Sequence, residues 1–150
     1  MPNIVKINNK IINFKKTINV PGDKSLSIRW VLFASLANGK SKAKNLLRSE
    51  DVMAAIEAVK KLGIKVIIKK KEFEIFGKGI DGYKYKKNLK INAQNSGTLG
   101  RLILGLLINS PEPINLIGDK SLSKRDFKRV SGPLSKFGAK FKLRNNNFLP

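Results

Sequence analysis

Leu62-Gly63-Ile64-Lys65, with the run on to Phe73, reappears as Phe137-Gly138-Ala139-Lys140 and its run to Phe148, 75 residues further on. Each copy reads as a helix end, a glycine, a strand, a polar turn and a second strand. Upstream, Arg29 and Arg101 stand 72 residues apart, each about one turn into a helix. The chain therefore reads as two copies of strand–helix–strand–helix–strand–strand, each about 75 residues long. That makes the fold class α/β, with one unit over about 18–77 and a second over about 89–150. The second copy looks cut short at Pro150, because its last strand has barely begun.

Local patterns fill in the units. Residues 3–7 and 11–20 read as short strands, and Pro21-Gly22-Asp23 breaks them into a loop. A helix is expected from about Ser25 to Asn38, stopped by Asn38-Gly39, and then a strand over 41–46. Val52, Ala55, Ile56, Val59 and Leu62 recur at helical steps, which predicts a helix from about Glu50, capped by Ser49 and stopped by Gly63. Residues 64–69 and 72–76 pair as a hairpin around Lys70-Lys71, and 77–88 is a loop. The second unit is expected as a strand at 89–92, a helix over 99–108, a strand at 114–117, a helix over 124–137 and a strand at 139–143. Pro133 should kink the last helix or separate its early turns.

Composition narrows the chemistry. The 150 residues carry 31 Lys+Arg against 10 Asp+Glu, for a net charge of +21. Apolar residues make up 41 %, enough for a core and too many for a disordered tail. Cys and His are both absent, which excludes disulfides, thiolate nucleophiles, Cys/His zinc sites and a histidine base. Of the basic residues 25 are Lys and only 6 are Arg, and the lysines spread from Lys6 to Lys142. That spread fits a Lys-, Asn- and Ile-rich bias better than a nucleic-acid patch. A nucleic-acid-binding domain would need a continuous cationic face interleaved with stacking aromatics, for which Phe73, Phe76, Tyr83 and Tyr85 are the candidates. The longest apolar stretch, Leu99 to Ile108, is about ten residues and is interrupted by Arg101, too short to cross a membrane. With no export signal at the start, the expected location is the cytoplasm.

The few arginines carry more information than the many lysines, since Arg offers a planar fork for carboxylate or phosphate. Three glycine-marked loops bring cations to helix starts, where free N–H groups favour an anion. The first is Gly22-Asp23-Lys24-Ser25 with Arg29 one turn on. The second is Asn95-Ser96-Gly97-Thr98 with Arg101. There Thr98 can cap the helix or bond a ligand oxygen. The third is Gly118-Asp119 followed by Lys124-Arg125, two cations that a helix dipole would disfavour unless an anion joins them. Each loop reads equally as a helix cap flanked by solvated charges. No Walker-type run is present, and Asp23 and Asp119 are too few for a two-metal site.

At these residues the chain resembles a known family. Pro21-Gly22-Asp23-Lys24-Ser25-Leu26-Ser27-Ile28-Arg29 is similar to the opening motif of the EPSP synthases, the 3-phosphoshikimate 1-carboxyvinyltransferases. Ser49-Glu50-Asp51-Val52, Asn95-Ser96-Gly97-Thr98 with Arg101, Gly118-Asp119 with Ser121-Leu122 and Arg125, and Pro133-Leu134 with Phe137-Gly138-Ala139 resemble its later landmarks in the same order, over about 18–150. Two positions depart from the pattern. Ile28 stands where a His is usual, and Asp126 stands where a Pro follows the arginine. Asp126 is expected to put a carboxylate beside Arg125 and weaken its hold on an anion.

The resemblance implies an enolpyruvyl-transferase-type domain, with about two of six βαβαββ units present. Residues 1–20 would start in the other domain and 21–150 would form a partial one. It implies transfer of the enolpyruvyl group of phosphoenolpyruvate to the 5-hydroxyl of shikimate 3-phosphate, with release of phosphate and no metal or organic cofactor. Lys24 would be catalytic and touch both substrates. Ser25 and Arg29 would bind shikimate 3-phosphate. Asn95, Gly97, Thr98, Arg101 and Arg125 would bind phosphoenolpyruvate. The remaining two-thirds of such an enzyme, in the same or a separate chain, would carry its acid/base groups, so this chain is expected to be inactive alone. The nearest enzyme alternative, UDP-N-acetylglucosamine enolpyruvyl transferase, normally shows Lys-Asn at the first motif and a catalytic Cys. Lys24-Ser25 and the absence of Cys disfavour it.

Overall fold

The computed structural model describes residues 6, 8–10, 12–13 and 15–150. The strand expected at 3–7 lies almost wholly outside them. For the one expected at 11–20, the described residues 12–13 and 15–20 form no strand.

The first unit begins with α1 (Lys24–Leu36). The Asp23 carboxylate accepts from the Leu26 amide at 2.7 Å and so satisfies one of the helix's unpaired donors. Ile28, Val31, Leu32, Ala34 and the small Ser27 and Ser35 face inward, while Leu26 and Phe33 are exposed. Gly22 sits where a Cβ would meet the Asn45 carbonyl at 2.0 Å, so the loop can lie against that backbone only as glycine. Ser27 Oγ then accepts from the Leu47 amide at 3.0 Å and locks the two segments together. The strand β1 (Asn38–Lys44) starts three residues earlier than expected, straight after the helix, because Gly39 (φ +96°) turns the chain without interrupting the ladder.

The helix α2 (Glu50–Lys61) buries the stripe read from the sequence. Ser49 occupies the N-cap position, yet its hydroxyl makes no capping bond. Glu50 and Asp51 at the positive end of the dipole, and Lys60 and Lys61 at the negative end, suit the helix instead. After it come β2 (Lys65–Ile68) and β3 (Glu72–Lys78). The sheet order is β1-β3-β2, with β3 antiparallel to both neighbours. Part of the expected 77–88 loop, Gly77 and Lys78, thus belongs to β3.

The outer face of β3 carries two carboxylates. Glu74 is almost buried there, bound by Lys69 at 2.7 Å and with Lys42 at 3.6 Å. The hydrogen bond from Lys69 is the main reason its carboxyl titrates below the ordinary value of 4.5. A carboxylate lowered on folding stabilises the native state at neutral pH, and that contribution is lost as pH falls below about 4.5. We expect Glu74→Gln to flatten the acid side of a Tm-against-pH profile. A profile unchanged below pH 5 would remove Glu74 from the account of acid unfolding.

The second unit contains β4 (Leu89–Asn92), α3 (Gly97–Leu106) and β5 (Ile114–Ile117), with β4 and β5 parallel. Ser96, not Thr98, caps α3, accepting from the Leu99 amide at 3.2 Å. The helix expected over 124–137 is broken at residues 125–127, while Pro133 lies inside the helix that follows. A 3-10 turn covers Leu122–Lys124, and α4 (Lys128–Lys136) follows after an extended Arg125. The expected strand at 139–143 does not form. Only an isolated bridge between Arg144 and Phe148 marks the hairpin. A strand exists by virtue of its ladder partners, and this segment lacks the neighbour that β3 gives to β2.

The repeat is visible in individual hydrogen bonds. Gly63 (φ +84°) and Gly138 (φ +93°) both end a helix in the left-handed region. Gly63 donates to Lys60 and Ile64 donates to Val59, while Gly138 donates to Ser135 and Ala139 donates to Leu134. Every donor and acceptor is displaced by the same 75 residues, the two bonds of one C-terminal motif made twice. The hairpins then diverge. Lys70-Lys71 makes a two-residue turn closed by Lys69 and Glu72, whereas Asn145–Asn147 makes a three-residue turn closed by Arg144 and Phe148. The structural counterpart of Phe73 is accordingly Leu149, not Phe148, and both are buried. The helix starts also differ by one residue from the arginine spacing. Arg29 is the sixth residue of α1 and Arg101 the fifth of α3.

One hydrophobic core joins both units, running from Ile28 and Leu32 through Val59, Phe73 and Ile91 to Leu99, Ile103 and Phe127. Of the aromatics considered for base stacking, Phe73 is buried under Arg48, and Lys65 lies over the Phe76 ring at 5.1 Å. Tyr83 bonds Ser35 at 2.7 Å, and Tyr85 donates to the Glu112 carbonyl at 3.2 Å. These rings serve packing. Among the described residues no helix is long and apolar enough to cross a membrane.

Candidate anion-binding site

Every ion pair among the described residues is made by a lysine. Two arginines serve the scaffold. Arg48 donates to the Lys69 and Lys70 carbonyls, and Arg144 donates to the Ser123 carbonyl at 2.8 Å. Of the other four, Arg101 and Arg125 come together over the start of α3. A Cβ added at Gly97 would stand 2.8 Å from Arg125 Nη1 and 3.2 Å from Arg101 Nη1. Glycine therefore keeps a space open between two guanidinium groups and the N-terminal amides of the helix.

A polar chain fixes Arg125. Its Nη2 donates to Asn95 Oδ1 at 2.9 Å, and Asn95 Nδ2 donates to Asp119 Oδ2 at 2.7 Å. The other Asp119 oxygen accepts from the Leu122 amide at 2.7 Å and caps the 3-10 turn that leads to Arg125. These bonds, the Leu122 amide first and Asn95 second, hold the Asp119 carboxyl below its usual range. Asp119 stays ionised, orients Asn95 and leaves both arginines without a carboxylate partner.

Arg101 is strained electrostatically. It is half-buried, its Nε has no partner, and its Nη2 reaches only the Asp126 carbonyl at 3.3 Å. Its guanidinium lies over the Phe127 ring at 5.5 Å. Burial, then the charges of Arg129 and Arg125, pull its pKa below the usual guanidinium value. The group stays cationic, so an anion at Gly97 would offset both the desolvation of the charge and the like-charge repulsion. Nothing in the residue spacing pointed to Arg129, whose charge reaches Arg101 from the next helix.

Neither departure bonds Arg125. Ile28 is fully buried in the core and faces no site. Asp126 Oδ1 accepts from the Lys128 amide at 2.6 Å, an Asx turn opening α4. Its carboxylate therefore lies under the cationic start of α4, where Lys128 and Arg129 stand, and makes no bond to Arg125. The dipole conflict expected for Lys124 and Arg125 falls on that pair instead.

The first motif forms a separate cluster. Lys24, the first residue of α1, pairs with Asp51 Oδ2 at 3.1 Å. Ser25 is half-buried and Arg29 exposed. Helices α1 and α3 pack against each other, but no hydrogen bond or ion pair among the described residues links Lys24, Ser25 or Arg29 to Asn95, Thr98, Arg101 or Arg125. In the sequence Asp51 stands out only as part of the Ser49-Glu50-Asp51-Val52 landmark. Its pairing with Lys24, 27 residues away in sequence, leaves no periodic signal.

Two helix starts of this α/β chain present cations, at Lys24 and, around Gly97, at Arg101 and Arg125, and a repeat lies behind them. Comparison with known proteins names the class more closely. Residues 9–150 match the family of EPSP synthase (3-phosphoshikimate 1-carboxyvinyltransferase), and the chain belongs to it. A relative of that name from Leuconostoc mesenteroides is 41% identical over 133 residues, covering 89% of this chain and 30% of its own length. One from Streptococcus agalactiae is 42% identical over 136 residues, covering 91% of this chain and 32% of its own. EPSP synthase from Acinetobacter baumannii superimposes with a TM-score of 0.81 at 34% identity, over 89% of this chain and 30% of that one. The chain thus spans about a third of the length of these relatives. The fold is a partial enolpyruvyl-transferase-type domain.

Proposed function

We propose that this chain forms one wall of a site that transfers the enolpyruvyl group of phosphoenolpyruvate to the 5-hydroxyl of shikimate 3-phosphate, giving EPSP and phosphate. The observation that carries the reading is the pair of guanidinium groups around Gly97, free of carboxylate partners and set between Asn95 and the start of α3. Asn95, Gly97, Thr98, Arg101 and Arg125 hold phosphoenolpyruvate. Ser25 and Arg29 hold shikimate 3-phosphate, and Lys24 exchanges Asp51 for substrate oxygens between the two. Residues 1–20 belong to the other domain of the enzyme and 21–150 to a partial domain. Its units cover about 18–77 and 89–150, and its setting is cytoplasmic.

The chemistry explains the cations. Two polyanions must be brought together, and their repulsion is offset only by fixed positive charge nearby. Protonation of the vinyl carbon, with attack by the hydroxyl oxygen and loss of its proton, gives a tetrahedral ketal; loss of a proton from the new methyl group then expels phosphate and restores the enol double bond. This chain orients the reactants, and proton transfer falls to groups in the rest of the enzyme.

The purified chain is expected to show no enolpyruvyl transfer alone. Activity should appear when it is mixed with, or fused to, the C-terminal two-thirds of a relative. Turnover by the chain alone, or no turnover in either complemented form, would count against this reading.

A further inference from the structure

The lysines around the first sheet fall into two groups. Lys42 and Lys69 are neutralised by Glu72 and Glu74. Lys44 stands opposite Glu72 in the β1–β3 register, yet the Glu72 carboxylate goes to Lys42 at 3.5 Å and to Lys69 at 3.9 Å. Lys44, Lys70 and Lys71 make no ion pair among the described residues. Together with Arg48 they line a cavity of about 510 Å³ between the β1–α2 loop and the β2–β3 turn, and none of its lining residues is acidic. Leu46, Leu47 and Phe73 give the cavity an apolar side. Arg48 is held in place there. Its Nη2 donates to the Lys69 and Lys70 carbonyls, and its guanidinium lies over the Phe73 ring at 4.9 Å. Those contacts fix the lysine turn beside the cavity. They leave Arg48 Nε and Nη1 with no hydrogen bond among the described residues.

We propose that this cavity binds an organic polyphosphate, a phosphate chain carried on an apolar or aromatic body. Like charges gathered in one cavity without an acid repel one another, and an anion between them removes that cost. The cations enter from two sides, Lys44 and Arg48 from the loop and Lys70 and Lys71 from the turn. That arrangement suits charge spread along a chain, with the guanidinium fork gripping one phosphate and the ammonium groups acting as point charges on the others. A bare phosphate chain would leave Leu46, Leu47 and Phe73 without an apolar partner, so the ligand carries a body that covers them. The volume is that of a small-molecule site. None of the lining residues is among those assigned to phosphoenolpyruvate or shikimate 3-phosphate, so the inference is independent of the enzymatic reading.

The test titrates the whole 150-residue chain with adenosine triphosphate and, separately, with inorganic triphosphate, following backbone amide shifts. Salt is kept at about 0.15 M, where distant surface charges are screened. Adenosine triphosphate should shift the amides of Leu46, Leu47, Lys71 and Phe73. Inorganic triphosphate should bind about fivefold or more weakly, for want of the apolar contact. Lys70→Glu with Lys71→Glu should raise the Kd for adenosine triphosphate by about tenfold or more. Lys84→Glu with Lys86→Glu removes the same charge from two exposed lysines elsewhere and should leave the Kd within about twofold. Should the first reversal prevent folding, Lys70→Gln with Lys71→Gln repeats the loss without adding acids. Absence of shifts around the cavity would overturn the proposal, as would shifts confined to Gly97 and Thr98. Equal weakening by the two charge reversals would reduce the effect to net charge and overturn it. Equal affinity for the two triphosphates would show that no organic body is recognised, with the same consequence.

Discussion

Arg125→Ala should weaken phosphoenolpyruvate binding by about 10- to 100-fold, the effect of losing a hydrogen bond to a charged group, roughly 1.5–3 kcal/mol. The side chain is half-buried and held at 2.9 Å by Asn95, so its fork is oriented before any ligand arrives. Little rotamer entropy remains to be lost on binding, which places this arginine at the upper end of that range. Arg125→Lys should recover only part of the loss, since an ammonium cannot make the two parallel bonds of a guanidinium. Titration of each variant with phosphoenolpyruvate, followed by amide shifts at Gly97 and Thr98, checks the order wild type, Lys, Ala. Equal affinity in all three would remove Arg125 from the site.

Asn95 gives that test a partner. It links Arg125 to Asp119, and Asn95→Ala would leave an arginine and an aspartate free to approach one another. A direct pair would draw Arg125 away from Gly97. The Asn95→Ala change should therefore weaken binding mainly through Arg125, and the double variant should be little worse than Arg125→Ala.

What could be read beforehand separates cleanly by range. Helix faces and stops were legible because they are local. The α2 stripe and the Gly63 and Gly138 terminations follow from neighbours three and four residues apart. The three loops were legible because their residue types are confined to turns and helix starts. Strand boundaries shifted where long-range pairing decides them, so β1 begins at Asn38 and 139–143 stays outside any sheet. The cap on α3 went to Ser96 because Thr98 is already inside the helix. Within the site, the Asp119–Asn95–Arg125 chain, the Lys24–Asp51 pair and the pressure of Arg129 on Arg101 join residues that no sequence period connects. The Asp126 carboxylate, expected to oppose Arg125, is instead taken up by the backbone two residues on.

Phe127→Ala should cost the chain about 3–5 kcal/mol, the usual range for truncating a fully buried Phe. Against a total stability of roughly 5–15 kcal/mol, that is a large fraction. Phe127 has no exposed surface, and its ring packs where a Cβ at Gly100 would come within 3.3 Å. It therefore fills the space between α3 and α4, the interval across which Arg101 and Arg129 face each other. Its amide donates to the Asn147 carbonyl at 2.8 Å, tying the C-terminal hairpin to the same point. The ring is also the floor beneath the Arg101 guanidinium. Removing it leaves a cavity below a cation that already lacks a partner at Nε. Urea unfolding should show the midpoint falling by about 1–3 M, with Phe127→Leu much closer to wild type because most of the volume is kept. Signals from Gly97 and Arg101 should broaden in the alanine variant before those of α2 change, since the loss begins between α3 and α4. A midpoint shift equal to that of the leucine variant would show that the two helices do not depend on this ring. The arginines would then be independent of the core at this point.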